Sequence, residues 1–218
     1  PVRVNETKPP SSPAKEPPSQ PSAPLITPAQ TPPSPSATSG VALQRIEGLR
    51  NKILPLAQAF NFKEALREFA KYTPNDELER TAANLIQREL TTANALFVWA
   101  IQEINKGGTL PSPILRNGSA FKSDPIKADD QKVLASAFAG TPPVPIPWTD
   151  ISPLYLIKLV QFRLSTHPNH PQRAELLWGA GNVHLILGSR QNAKPFLEEA
   201  ARLNPAYAEI VLGILAGS

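Results

Sequence analysis

Few side chains in this sequence stand at spacings that metal or acid–base chemistry uses. His167 and His170 lie three residues apart in the stretch His-Pro-Asn-His-Pro, and two imidazoles at that spacing could share a metal ion. A metal site of that kind needs a third and usually a fourth ligand, and no cluster of Asp, Glu or His lies nearby in the sequence. We therefore interpret the stretch as a loop that ends a helix, and we expect no metal and no cofactor.

The sequence indicates neither a catalytic pair of carboxylates nor a catalytic nucleophile. Asp129 and Asp130 could be imagined as a catalytic pair, but the polar sequence around them, KADDQK, is typical of a solvated turn. No Ser or Thr stands in a nucleophile-elbow motif, and the stretch NKGGTLP lacks both the spacing of a phosphate-binding loop and the helix that should follow it. We expect the protein not to be an enzyme.

The composition of the chain argues against further classes of function. The 22 basic and 18 acidic residues among 218 are mixed along the chain, so no basic stripe predicts a nucleic-acid partner. There is no cysteine, which excludes disulfides, thiolate metal sites and a cysteine nucleophile. No apolar run reaches about 18 residues, so no membrane span is expected within the chain. It begins with Pro1 and contains no Met, and we expect a fragment or processed chain whose anchor, if there is one, lies in a preceding segment.

Residues 1–40 predict a disordered spacer. They hold twelve of the 26 prolines and eleven Ser or Thr residues, with almost no large apolar side chains. Proline fixes the backbone φ angle and removes amide donors, so such a stretch favours a solvated, semi-extended chain of polyproline character. An alternative for the sequence PPSQP, which begins at Pro17, is a ligand for a domain that recognises proline-rich peptides.

Residues 41–109 predict a helical hairpin followed by a long helix. Apolar residues recur at helical spacing over 43–60 and again over 62–72, so two helices should meet near Asn61. Pro55 should kink the first of them or divide it into two pieces.

The long third helix is predicted between Asp76 and Gly107. An apolar stripe runs from Leu78 to Ile104, with acidic residues at its start. At 1.5 Å per residue such a helix spans roughly 45 Å, and the preceding hairpin can pack against it.

Residues 110–148 predict a small antiparallel β-meander. Four short runs, separated by the turn signals Asn117-Gly118 and Asp129-Asp130, fit four proline-marked strands. Residues 149–218 return to helix, with Ser152 as N-cap, Pro153 in the first turn and a strongly apolar helix after them. The predicted fold class is mainly α, or α+β, with this meander inserted between helical regions.

The C-terminal region also carries a repeat-like pattern of small residues. When Ala174 is counted as the first residue of a 34-residue unit, small residues and a proline fall at positions 8, 15, 20, 27 and 32, namely Gly181, Gly188, Ala193, Ala200 and Pro205. This pattern resembles that of tetratricopeptide repeats. Small residues let two antiparallel helices approach closely, glycine supplies the turn and proline ends the second helix. The sequence departs from the family pattern at Trp178, His184 and Pro195.

The resemblance implies a peptide-binding groove on the first helix of the hairpin. The corresponding positions are occupied here by Glu175, Trp178, Asn182, Leu185 and Ile186. Asn182 could hydrogen-bond a peptide backbone, and Trp178 could supply an aromatic anchor. The alternative is that Trp178, Leu185 and Ile186 pack on the preceding helix, and His184 is interpreted as a packed core histidine.

The order of segments carries a second resemblance. A proline-rich spacer, a helical hairpin, a β segment ending in VPIPWTDISP and a terminal repeat resemble the extracytoplasmic regions that follow the membrane anchor in some bacterial (planctomycete and verrucomicrobial) Ser/Thr protein kinases. This implies an extracytoplasmic sensory or docking module without kinase residues. Our hypothesis is a non-catalytic scaffold or sensory module that binds a protein or peptide partner. The alternative is an envelope structural or glycan-contacting module that uses the β segment.

Overall fold

A computed structural model of the chain describes the backbone of residues 35–136 and 141–216 and the side chains of residues 40–136 and 141–214. Residues 35–218 form one compact unit. Its described part is mainly helical with a small antiparallel sheet, which confirms the predicted fold class. The predicted spacer lies, as far as residue 34, outside the described residues.

Helices come before and after the sheet in the chain. The helices are α1 Pro35–Gln58, α2 Phe62–Ala70, α3 Glu77–Asn105, α4 Leu154–Thr166, α5 Arg173–Ile186, α6 Arg190–Leu203 and α7 Ala208–Ala216. The strands are β1 Asp124–Ala128, β2 Lys132–Ser136 and β3 Val144–Pro147. Two 3₁₀ turns, at Trp148–Asp150 and Pro205–Tyr207, lead into the helical segments that follow.

Helix α1 differs from the prediction at two places. It begins at Pro35 rather than after residue 40, because a proline in the first turn loses no intrahelical hydrogen bond. It also runs through Pro55 as one element, so the predicted division into two pieces is wrong. Pro55 lies on the exposed side of the last turn, where the carbonyl that it deprives of a donor can be hydrated instead.

The turn from α1 to α2 ends the first helix in a left-handed residue that is not glycine. Phe60 has φ 62°, and the amide of Asn61 donates to the Leu56 carbonyl at 2.9 Å. Left-handed backbone costs a side-chain-bearing residue roughly 1–2 kcal/mol. The Phe60 ring is buried against Phe97 and Trp148, with centroid distances of 5.4 and 5.1 Å, and this packing offsets the cost.

The turn from α5 to α6 repeats that hydrogen-bond pattern. Gly188 has φ 71°, and the amide of Ser189 donates to the His184 carbonyl at 2.8 Å. The two hairpins therefore share one helix-ending motif, although only the second uses the residue that adopts it without strain.

Helix α3 is the 29-residue centre of the molecule, about 43 Å long at 1.5 Å per residue. Its N-cap, Asp76, accepts a hydrogen bond from the Glu79 amide at 2.8 Å. The predicted stripe is wrong at its start, since Leu78 is 46% exposed. Helix α3 packs against α1 and α2 as well as α5, so its buried surface is wider than one stripe and includes Leu96 and Trp99.

Three glutamates on α3 are buried, each near an arginine of another helix. Glu79 accepts two hydrogen bonds from Arg45 at 2.8 and 2.9 Å. Glu89 lies 3.5 Å from Arg50, and burial raises the pKa of its carboxyl. Glu103 pairs with Arg163 of α4 and with Lys106. A buried carboxylate that loses its partner is strongly destabilising, so these pairs favour the observed packing of α1 and α4 on α3. They are Glu79–Arg45, Glu89–Arg50 and Glu103–Arg163.

The sheet has three strands in the order β1-β2-β3, all antiparallel. The expected fourth strand is wrong, because Ile114 and Leu115 form only isolated bridges, to Ala120 and Ile151. Alternation places Val133 and Ala135 of β2 in the core. The sheet therefore packs one of its faces against the helices.

Both edges of the sheet are blocked. The side-chain amide of Asn105 donates to the Ala128 carbonyl at 2.8 Å and accepts from its amide at 2.9 Å, so α3 occupies the edge of β1. The Trp148 amide donates inward to Gln131. By alternation Pro145 and Pro147 face the open edge of β3 and present no N–H donor there.

Helix α4 begins one residue later than predicted, with Pro153 rather than Ser152 at its N-cap. The Ser152 hydroxyl accepts a hydrogen bond from the Leu154 amide at 3.3 Å, and six of the thirteen residues of α4 are buried. The Tyr155 hydroxyl donates to the Pro111 carbonyl at 3.1 Å. Helix α4 is thus the buried helix that the sequence predicts.

Two glycines in α5 allow helices to approach from opposite sides. A Cβ placed on Gly179 would lie 3.1 Å from the Leu96 Cβ of α3. A Cβ placed on Gly181 would lie 2.5 Å from Leu197 Cδ2 of α6 and 2.7 Å from its Cγ. Ala193, one turn before Leu197, is also buried. Small residues on α5 are therefore required by its contacts with both neighbours.

The substitution Gly181→Ala tests this packing. The methyl group displaces the whole Leu197 side chain, and we expect a net loss of about 1–2 kcal/mol in the free energy of unfolding, since overpacking outweighs the gain in helix propensity. The matched control is Gly48→Ala in α1, where an added Cβ meets nothing within 4 Å. It should gain about 0.5–1 kcal/mol. Urea unfolding of both variants measures this, and equal shifts would contradict the close approach.

Candidate functional site

A groove lies where α3, α5 and the turn into α7 meet. Its volume is about 550 Å³. We call it the aromatic groove and define it by its lining residues, which are Arg88, Thr91, Thr92, Ala95, Leu96, Trp99, Gln172, Glu175, Leu176, Trp178, Tyr207 and Ile210. Three aromatic and three aliphatic side chains larger than alanine make most of this surface apolar.

Aromatic rings form the walls of the groove. Trp178 and Tyr207 stack with centroids 4.6 Å apart and planes only 6° from parallel. Trp178 is 4% exposed and Trp99 is 8% exposed. The Trp99 indole nitrogen has no hydrogen-bond partner among the described residues, and an unpaired buried donor costs about 1–3 kcal/mol. The Trp99 side chain therefore brings an unpaired, buried donor to the lining of the groove.

The polar side chains of the groove include the donor Arg88 and the side chains of Thr91, Thr92 and Gln172, which can both donate and accept. The side chains of these four residues make no hydrogen bond or ion pair with any described residue. Glu175 is exposed and supplies the carboxylate. Burial, and then the charge of Glu175, raises the pKa of the Tyr207 hydroxyl, so that hydroxyl keeps its proton at neutral pH and can also donate.

The structure brings two of the five predicted site residues to this groove. Glu175 and Trp178 line it. Asn182 is fully buried, and its side-chain amide donates to the Trp178 carbonyl at 2.8 Å while its oxygen has no described partner. Leu185 and Ile186 are buried as well. A peptide role for these three residues stays a prediction.

Sequence reasoning missed the other half of the groove. Trp99 lies off the predicted apolar stripe of α3, and Tyr207 follows the helix-ending Pro205. The aromatic residue type at each position was visible in the sequence. The contact between these side chains in one groove was not visible, because nothing in the sequence indicates that the turn before α7 folds back onto α3 and α5.

The remaining candidate residues serve local structure. The His170 amide donates to the His167 carbonyl at 3.1 Å, and the His170 ring accepts from the Gln172 amide at 3.2 Å, as in a helix-ending turn. No group of three or more potential metal ligands is found in the described part of the chain.

The Asp129 carboxylate closes the turn between β1 and β2. It accepts hydrogen bonds from the amides of Gln131 and Lys132 at 2.8 and 2.9 Å, and these bonds lower the pKa of its carboxyl. Asp130 is exposed and pairs with Lys63 at 3.0 Å. This is the solvated turn that the sequence predicts.

A second cavity, of about 430 Å³, lies beside β3. Its lining combines the half-buried ring of Phe121 with Arg116, Asn117 and Asp150. The Arg116 guanidinium is already engaged by the Gln58 and Thr149 carbonyls. This cavity therefore offers less unpaired polar surface than the aromatic groove.

Comparison with known proteins identifies no relative of this chain. No protein-family model matches the chain, and no match was found among the curated proteins or the solved structures. Among the described residues, no helix has the length and apolar character to cross a bilayer.

His184 of α5 is packed in the core. It is 7% exposed and lies against the Phe196 ring at 5.4 Å, and its Nδ1 has no described partner. Burial lowers the pKa of this imidazole from its ordinary value of 6.5. The folded state therefore disfavours the charged form.

This burial predicts a loss of stability in mild acid. As pH falls through 6.5, the unfolded chain binds the His184 proton more readily than the folded chain, so the free energy of unfolding decreases until the folded-state pKa is passed. In His184→Gln this contribution should disappear, while the exposed His167→Gln control should retain it. Urea unfolding at about pH 7.5 and about pH 5.5 gives the difference, in which the Glu89 contribution cancels. An unchanged pH dependence in His184→Gln would contradict the assignment.

Proposed function

We propose that the protein is a non-catalytic peptide-binding module and that the aromatic groove is its binding site. The observation that carries the proposal is the Trp178–Tyr207 stack, which lines an open apolar groove beside the unpartnered Trp99 indole. Tryptophan and tyrosine are enriched among the residues that dominate binding energy. A scaffold or sensory role outside the cytoplasm, as the resemblance in layout implies, belongs to the same proposal.

The size of the groove suits one or two side chains of a bound segment. Its volume of about 550 Å³ lies within the range of about 300–1,000 Å³ that small-ligand and anchor pockets occupy. Because the groove is bounded by helices on a rigid core rather than by long loops, binding should require little rearrangement of the protein.

The chemistry of the lining also fits a peptide. An apolar side chain can enter between Leu96, Leu176 and Ile210, while peptide carbonyls meet the donors of Thr91 and Thr92. A main chain offers one carbonyl per residue, so several of these donors can be satisfied by one segment. Affinity then comes from aromatic burial and register from hydrogen bonds.

Selection from a random peptide display library against the full chain tests the proposal. Enriched peptides should bind the protein and lose about tenfold or more in affinity with Ala95→Glu, because an exposed alanine of the groove then becomes a carboxylate inside it. The matched control is Gln87→Glu, also exposed on α3 but outside the groove. It should bind as the wild type does.

Two outcomes would overturn the proposal. If no peptide is enriched, or if enriched peptides bind the wild type and Ala95→Glu equally, the aromatic groove is not a peptide site. Both variants change exposed positions, so circular dichroism and urea unfolding should show folded proteins of nearly wild-type stability.

A further inference from the structure

We propose that the cavity beside β3 is a second binding site, whose ligand is a neutral saccharide. It lies apart from the aromatic groove and goes beyond the function proposed for that groove. We call it the β3 cavity. It has a volume of about 430 Å³ and is defined by the polar side chains of Arg116, Asn117 and Asp150, the ring of Phe121 and the strand residues 144–147. The sequence raises a glycan contact of the β segment only as an alternative, and this cavity gives that alternative named residues.

Two donors at the β3 cavity are held in fixed orientations. The Arg116 guanidinium donates through Nε to the Thr149 carbonyl and through Nη2 to the Gln58 carbonyl, while its Nη1 has no partner among the described residues. The Asn117 Oδ1 accepts from the amide and the hydroxyl of Ser119 at 3.0 and 2.6 Å. The free hydrogens of the Asn117 side chain are therefore those on Nδ2. Because both side chains are already ordered, a ligand that accepts from them loses little affinity to their immobilisation.

Asp150 supplies an acceptor and balances the charge. Its carboxylate is exposed, and its one hydrogen bond with a described residue is a long one of 3.5 Å from the Thr149 hydroxyl. It forms no ion pair with a described residue, although Arg116 lines the same cavity. One cation and one carboxylate leave the lining without net charge. An ionic ligand would meet a like charge as well as an unlike one, so the electrostatics favour a neutral ligand.

The strand at this cavity argues against an added peptide strand. A peptide that joins a sheet edge pairs its carbonyls with the N–H groups of that edge. The Trp148 amide donates inward to the Gln131 carbonyl at 3.1 Å, so by alternation Pro145 and Pro147 are the positions that face outward. Proline has no N–H, and the carbonyls of an added strand would stay unpaired.

Hydroxyl groups match the remaining features, because each is uncharged and both donates and accepts. A saccharide carries hydroxyls on neighbouring carbons of a ring, so one can donate to Asp150 while the next accepts from Arg116 or Asn117. The C–H groups of the ring need apolar contact, which the half-buried Phe121 and the exposed Val144 offer. The volume of the cavity also lies within the range of about 300–1,000 Å³ that small ligands occupy.

Titration of the ¹⁵N-labelled full chain with maltotriose, cellotriose and triacetylchitotriose tests the inference. At least one of these neutral trisaccharides should shift the Asn117 side-chain N–H signals and the Gly118 amide at millimolar concentration. The Trp99 indole, in the lining of the aromatic groove, should keep its position. An acetyl-capped and amidated hexapeptide of alternating Ala and Gln also carries donors and acceptors, and it should cause no shift at Asn117.

Two variants each remove one partner of the saccharide. Asp150→Asn removes the carboxylate and should weaken binding about tenfold or more, whereas Asn117→Asp removes a neutral donor and should weaken it at least about threefold. The Asn117→Asp side chain keeps an oxygen that can accept from Ser119, so the turn is retained. The matched control is Asp124→Asn, an exposed carboxylate of β1 outside the cavity, which should bind as the wild type does. The Gly118 amide reports binding in all three variants.

Several outcomes would overturn the inference. They are a failure of all three trisaccharides to shift Asn117, an equal shift caused by the peptide, and unchanged affinity in Asp150→Asn. A saccharide that shifts Trp99 instead of Asn117 binds at the aromatic groove and also overturns it. None of these results bears on peptide selection by the aromatic groove, which Ala95→Glu tests separately, so the failures of the two proposals can be told apart.

Discussion

The close approach of α5 to both of its neighbours is the constraint on which the molecule depends. Gly179 meets Leu96 of α3, and Gly181 meets Leu197 of α6, at distances where a methyl group would collide or crowd. Because the two glycines point to opposite sides of one helix, α5 is held between α3 and α6 at short range. The aromatic groove lies along the same α3–α5 contact, so its width follows from this approach.

A second constraint orients α3 itself. Its buried carboxylates, Glu79, Glu89 and Glu103, pair with arginines of α1 and α4. Apolar contacts alone would allow a long helix to rotate or slide, whereas a buried carboxylate without its cation is strongly destabilising. The pairs thereby set the register of α3, which presents Leu96 to α5 and the donors Thr91 and Thr92 to the groove. Structural charges and the candidate site are thus connected through one helix.

Sequence periodicity was most informative where one element decides its own structure. The length of α3, the α5–α6 hairpin, the buried α4 and the Asp129 turn all follow from local apolar spacing, caps and turn residues. The predictions from periodicity were wrong where contacts with the rest of the protein or with solvent determine the local structure. The run at Ile114 and Leu115 pairs too briefly to become a strand, and α1 passes Pro55 because solvent can hydrate the freed carbonyl.

The sequence by itself determined the fold class, the order of the helices and the residue types that could bind a partner. Only the tertiary structure decided which of those residues meet. Glu175 and Trp178 join Trp99 and Tyr207 in one groove, while Asn182 turns inward to the Trp178 carbonyl. The physical reason is that helical spacing fixes which side chains share a face, whereas the partner of that face is chosen by close packing and buried charge between segments far apart in the chain.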